Sequence, residues 1–368
     1  MKIEKIKKEG VYLTIILMNL GIVLNAYGLN IYRYLIYFPA VLGLFFLLLN
    51  KFRINGMSIK NNPVNAAFFL LIINGILHLP FLNETGYSQL FFILAALLPL
   101  LVFKQFVINW RFVSIIYMIG FLLVIVGRKV SIDFSLENFF KSDTSSVETN
   151  QHPFVFGILA LFFLYKKDKI FFLLNLIFVI LSFKRIVFLG VVAAIPFVFI
   201  ERNHRTILKN NRWLFLVPNV IALFIIVSFT QGLYDDLIKS ITGLSAGYFT
   251  MGRNIIYEPI VNKFFEMNLF EKLFGLGQAF AYNLSISYIN DAVHNDLLVL
   301  LIDQGIIFFS LFFLLLYKSR IVFPIIFSNM LYLTDNTLIY TFYLFVFFLL
   351  VNNLNTTNEN TYSTQPLR

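Results

Sequence analysis

The sequence predicts an all-α integral membrane protein: about twelve transmembrane helices and a large outer loop that carries short amphipathic helices. Three observations lead there. Hydrophobic residues make up 59% of the chain and charged residues 13%, with a mean hydropathy of +0.81. A soluble domain could not cover that much apolar side chain with a polar shell. Apolar stretches of about twenty residues, the length that crosses a bilayer, recur along the chain. Short connections rich in Lys and Arg separate many of them, as cytoplasmic loops of membrane proteins require.

Taken in order, the first apolar run follows MKIEKIKKEG and reads as a retained first span, not a cleaved signal. Spans are expected near 11–28, 31–49, 64–82, 87–103, 111–127, 153–165, 170–183, 186–200, 213–229, 297–316, 321–333 and 338–351. Lys2, Lys5, Lys7 and Lys8 precede the first span. Lys51, Arg53 and Lys60 follow the second, Lys104 and Arg111 the fourth, and Lys166, Lys167 and Lys169 the sixth. Arg202, Arg205, Lys209 and Arg212 follow the eighth, and Lys318 and Arg320 the tenth. All fall on one side, which the positive-inside rule makes cytoplasmic. The polar tail 352–368 then lies inside, and its composition suits disorder.

Two outer segments are long, 128–153 and 230–293. The second exceeds a simple connector, and such loops are commonly functional. Within it Ile256, Ile260 and Phe264 recur every four residues, with Arg253 and Tyr257 on a neighbouring polar stripe. That spacing predicts an amphipathic helix at the membrane surface over 253–265, with Pro259 kinking it or displacing its start.

Composition also excludes chemistry. There is no cysteine, so disulfides, thiolate catalysis, Cys-ligated zinc and iron–sulfur clusters are ruled out. No HExxH or paired His/carboxylate spacing suggests a metal, and no Walker-type Gly-Lys-Ser/Thr element suggests ATP. GLGQAF at Gly275 to Phe280 reads as a turn, because a dinucleotide fingerprint needs a strand before it and a helix after it. The net charge of +10 lies in loops between spans, so it marks topology and not nucleic-acid binding. No cofactor is expected.

Polar groups close to a bilayer cost free energy and are usually kept for a task. VHNDLLVLLIDQG places His294, Asn295 and Asp296 at the mouth of the tenth span. Neighbouring carboxylates can tune the imidazole; the plainer reading is a helix-capping turn with Asn295 or Asp296 as cap. MGRNIIYEP centres on Arg253, where Gly252 relaxes the backbone and a helix start adds N–H donors; the plainer reading is a solvated loop arginine. Lys184 and Arg185 occupy the outward turn between the seventh and eighth spans, against the positive-inside trend. They read as an anion contact or as snorkelling anchors. Of the other histidines, His78 reads as a packing group within a span and His204 as part of a basic loop, while His152 at an outer helix mouth fits either role.

These elements, in this order, resemble the superfamily of O-antigen polymerases and O-antigen ligases of the bacterial envelope. SFKR at Ser182 to Arg185 resembles the family's Ser-x-Ser-Arg element. GRNIIYEPI at Gly252 to Ile260 resembles Gly-Arg-x-x-Ile-Trp. NLFEKLFGLG at Asn268 to Gly277 resembles His-Pro-Leu-Phe-Gly-x-Gly. HNDLLVLLIDQGII at His294 to Ile307 resembles His-Asn-x-x-Leu-x-x-Leu-x-Glu-x-Gly, the most specific of the four. Lys184, Tyr257 and Asp303 depart from the pattern, while Arg185, Arg253 and His294 keep it. The resemblance runs from about Ser182 to Leu316; before that only hydropathy agrees.

The resemblance implies a membrane glycosyltransferase of the bacterial inner membrane with its active site on the periplasmic face. The donor would be an oligosaccharide on undecaprenyl pyrophosphate, and a chain-length regulator protein would be a partner. It implies that Arg185 and Arg253 hold the pyrophosphate and that His294 is either a general base or a further phosphate contact. Lys184, Tyr257, Asn295 and Asp296 would bind substrate or orient these groups. Polymerase and ligase share this site. A flippase for the same lipid-linked sugars is the alternative of another class, and it would place ionisable residues deep in several spans.

Overall fold

The structure is a computed structural model that describes residues 2–35, 37–50, 62–102, 108–128, 151–203, 216–243, 252–290 and 293–362. The described residues are helical, with no strand among them. The chain runs through α1 (Lys2–Ala26), α2 (Tyr32–Leu35), α3 (Phe38–Leu49), α4 (Pro63–Leu77), α5 (Glu84–Val102), α6 (Trp110–Gly127), α7 (His152–Tyr165), α8 (Lys169–Leu181) and α9 (Arg185–Asn203). It continues through α10 (Leu216–Thr230), α11 (Asp235–Thr242), α12 (Arg253–Glu266), α13 (Leu269–Phe274), α14 (Phe280–Ile289), α15 (Asp296–Tyr317), α16 (Phe323–Tyr332) and α17 (Thr341–Tyr362).

Among the described residues, four helices are long and apolar enough to cross a membrane, Glu4–Ala26, Trp110–Gly127, Arg185–Asn203 and Asp296–Tyr317. α10 and α11 pass that test together but meet at 89°. Seven further apolar helices are shorter than a perpendicular crossing needs. The chain is therefore a helical membrane protein by length and composition, and the count of about twelve spans goes beyond what these lengths establish.

Contacts at the helix ends give the bundle two poles. At one pole Lys7 donates to Asn50 at 2.7 Å, Asn62 donates to Asn352 at 2.6 Å, and Arg111 pairs with Asp168 at 2.7 Å. The Val322 N–H donates to Glu201 at the same pole. These contacts join the start of α1 to the end of α3, the start of α4 to the middle of α17, the starts of α6 and α8 to each other, and the end of α9 to the start of α16. The apolar core lies between the poles, where α7, buried along nearly its whole length, packs on α8, α9 and α17.

At the opposite pole the segment after α10 folds into its own cluster. Ile256, Tyr257, Ile260 and Val261 of α12 pack with Ala281 of α14 and Val293, Leu298 and Ile302 at the start of α15. The expected helix over 253–265 is present and runs through Pro259 as one element. Two expectations are corrected. Tyr257 faces the core and not a polar stripe, being 6% exposed. Ile255 and Phe265 are exposed on α12, so its apolar residues are not confined to one side; the cleanly amphipathic helix is α11, which exposes Leu237 and Ile241. The tail is also corrected: residues expected to lack structure from Asn352 onward continue α17 to Tyr362. Most of the outer segment 128–153, the basic loop containing His204, Asp291, and residues 363–368 lie outside the described residues.

Candidate functional site

The site is assembled at the mouth of α15. Asn295 is the cap of that helix: its Oδ1 accepts from the Leu298 N–H at 2.9 Å and its Nδ2 donates to the Leu333 carbonyl at 2.9 Å. Asp296 is buried, and its carboxylate accepts from the Thr337 hydroxyl at 3.1 Å and the Leu338 N–H at 3.0 Å. Both side chains thus anchor α15 to the segment between α16 and α17. His294 itself is half-buried.

Tyr257 reaches His294 through the backbone. Its hydroxyl donates to the His294 carbonyl at 3.0 Å, and Arg253 and Asp335 act electrostatically on it. Burial raises the Tyr257 hydroxyl above its ordinary pKa, against the pull of the Arg253 guanidinium and Asn295, so it stays a donor at neutral pH. Arg253 is the first residue of α12, behind Gly252 at φ 76°, and no side chain caps that first turn. Arg253 is half-buried and lies one helical turn before Tyr257 along α12.

The SFKR turn joins from the other side. Phe183 takes a left-handed φ of 55°, uncommon for a bulky residue, and the Ser182 hydroxyl donates to the Val179 carbonyl at 2.6 Å. This tight reversal places Lys184 2.9 Å from Asp335. Tyr340 donates to the same carboxylate at 2.7 Å. Burial works to raise the Asp335 carboxyl, but the Lys184 ammonium, with hydrogen bonds from Lys184, Tyr340 and the Asn336 N–H, outweighs it and holds the group below its usual range. Lys184 is therefore neutralised within the protein. Arg185 follows it as the first residue of α9 and is half-buried.

The four elements read from the sequence thus meet at one pole. SFKR contacts the Asp335 turn, the Arg253 helix contacts His294, and the Asp335 charge acts on Tyr257, which links the two. No protein-family model, curated protein or solved structure matches this chain. The site's chemistry is therefore argued from its own residues.

The GLGQAF turn has a structural role that links it to the last element. The Leu276 and Gly277 N–H groups donate to the Ile302 and Asp303 carbonyls, each at 3.0 Å. The Asp303 carboxylate accepts from the Ala279 N–H at 2.7 Å and the Ala281 N–H at 2.9 Å. α15 breaks at Gly305, with φ 73° and ψ 169°, where the Gly275 backbone comes too close for any Cβ. Asp303 and Gly305 thus hold the turn between α13 and α14 against α15.

Two other described histidines, His152 and His78, make hydrogen bonds within the bundle. His152 is buried with its Nε2 2.7 Å from Asn19 Oδ1, and the His78 Nδ1 lies 2.9 Å from the Asn74 carbonyl. Among the described residues no three His, Asp or Glu side chains converge to hold a metal ion. Sequence reasoning missed Asp335. Its one signal was the turn dipeptide Asp335-Asn336 between two apolar runs, which marks a connector and names no partner.

Proposed function

We propose that the chain polymerises oligosaccharide repeat units carried on undecaprenyl pyrophosphate into O-antigen or capsular polysaccharide, at the periplasmic face of the inner membrane. One observation carries the reading. Half-buried Arg253 and Arg185 belong to segments that converge on the mouth of α15, beside His294 and at the pole opposite the basic loops. About twelve crossings with both termini inside put that pole outside.

The chemistry follows from the groups present. The acceptor hydroxyl oxygen bonds to the donor's anomeric carbon while the bond from that carbon to the phosphate oxygen breaks. The hydroxyl proton leaves to a base, and the pyrophosphate departs with the electron pair on its lipid. Negative charge grows on the pyrophosphate, so arginines already in position stabilise the transition state more than the ground state. Guanidinium forks suit phosphate oxygens. His294 serves as the base or as a third phosphate contact. A base gives activity that rises with pH through the imidazole range, and a charged contact gives activity that falls through it.

Two experiments test the reading. Arg253→Ala and Arg185→Ala should each stop polymer formation at normal protein level, with Arg→Lys restoring part of it; full polymer in both alanine variants removes the pyrophosphate role. Deletion of the gene should leave lipopolysaccharide core bearing a single repeat unit. Bare core with polymer still on its lipid carrier would assign the chain as the ligase.

A further inference from the structure

The same pole carries a second depression, lined without any of the arginines. It is a groove of about 360 Å³ between the α4–α5 connection and α14. Phe81, 81% exposed, stands on one wall and Phe280 on the other. The polar lining consists of Asn83, Gln278, Asn283 and Ser287, and no charged side chain contributes. The volume falls within the range that holds small ligands.

That lining selects by chemistry. Asn83 accepts from the Gly86 N–H and Asn283 donates one N–H to the Ala279 carbonyl, which leaves each carboxamide further donor and acceptor capacity; the Ser287 hydroxyl donates to the Leu284 carbonyl and still accepts, and Gln278 is held in the floor. Such a surface suits a neutral ligand whose own groups both donate and accept, which describes sugar hydroxyls. An anion would find no cation in the groove. A hydrocarbon chain would strip water from four polar side chains and return no hydrogen bond. The two phenyl rings offer the apolar surface that the C–H face of a sugar ring covers.

The groove floor is held in place. Gln278 donates to Gln89 at 3.1 Å and accepts from Gln304 at 2.8 Å, and Gln304 accepts from Asn74 at 2.9 Å. This buried chain of amides ties the floor to α4, α5 and α15, and its bonds hold the Gln278 side chain in one orientation. Gln278 also lines a smaller cavity with Asp296 and Asn336, so the groove and the mouth of α15 share one wall.

We propose that this groove is a glycan subsite that holds neutral sugar residues of the repeat unit, away from the pyrophosphate. The identity of the glycan rests on the function proposed above. The groove's preference for a neutral polyhydroxylated ligand rests on its own lining.

The test is a photocrosslink in the protein's own host. The full chain carries p-benzoylphenylalanine in place of Phe81 or, as a control, of Ile170, which is exposed at the start of α8 at the opposite pole. After illumination the adducts are analysed by mass and by periodate sensitivity. A periodate-sensitive glycan adduct should form at Phe81 and not at Ile170. It should be lost when Asn283→Leu and Ser287→Leu fill the groove, in protein that keeps its wild-type thermal stability. If that double variant does not fold, Ser287→Leu alone, at an exposed position, should weaken the adduct. A Phe81 adduct of phospholipid alone, or none while Ile170 captures lipid, overturns the subsite. The two proposals fail separately. A glycan adduct alongside normal polymer in Arg253→Ala and Arg185→Ala leaves the groove standing and removes the pyrophosphate site; no glycan adduct, with polymer abolished by both arginine variants, does the reverse.

Discussion

The hydroxyl of Tyr257 donates to the main-chain carbonyl of His294 at 3.0 Å. This bond joins the helix that begins with Arg253 to the residue just ahead of the α15 cap. It sets where the His294 ring starts from, without touching the ring.

Tyr257→Phe keeps the buried ring and removes one hydrogen bond, worth about 1 kcal/mol. Protein level should stay normal while polymer output falls. Tyr257→Ala removes the ring from its cluster at about 3–5 kcal/mol, so protein level should fall as well. Immunoblots and polysaccharide gels of the two strains check this. Wild-type polymer from Tyr257→Phe would show that the bond does not position His294.

Lys184 and Asp335 form a largely buried pair, with side chains 16% and 6% exposed. Lys184→Met strands the carboxylate and should cost about 3–5 kcal/mol, whereas Lys184→Met combined with Asp335→Asn should recover much of it. The pH dependence follows from the depressed Asp335 carboxyl. Its folded-state pKa lies below its unfolded value, so the pair's full contribution is present above about pH 4, the ordinary aspartate range, and is lost as pH falls through the lower folded value. Thermal unfolding in detergent across acidic pH should show that loss in the wild type and a flatter profile in the double variant.

Gly305 sits at φ 73° and ψ 169°, a region open to glycine almost alone. A Cβ there would meet the Gly275 nitrogen and the Leu273 backbone, so relief would need the whole 273–277 turn to move. Gly305→Ala should therefore lower the melting temperature by far more than Gly28→Ala, where a Cβ meets open space despite a similar φ. Equal shifts in the two variants would mean that the close approach carries no weight.

The chain has no cysteine, so single cysteines report topology without background. Tyr288→Cys, exposed on α14, should react with an impermeant maleimide in cells whose cytoplasmic membrane is intact. Lys318→Cys, exposed after α15, should react only once that membrane is permeabilised. The opposite pattern would invert the bundle.

Much of the fold was legible because its signals are local sums. Apolar runs marked the helices. The candidate site was legible as four separate motifs. Their roles were less so: Tyr257 read as polar-facing because its four-residue offset from Arg253 suggested a shared stripe, yet packing against Val293 and Leu298 turned it inward. Asn295 could be read as a cap, but its second bond, to Leu333, could not.

By itself the sequence determined a helical membrane chain and a polar mouth on α15. Hydropathy and charge are properties of each segment, and they survive whatever the segments later touch. Only the tertiary structure decided that Lys184 would be neutralised by Asp335, that Asp296 would hold Thr337 and Leu338, and that Gly305 would break α15 against Gly275. The reason is physical. A buried carboxylate keeps its charge only where another helix delivers a cation or N–H donors, and which helix arrives depends on the packing of the whole bundle.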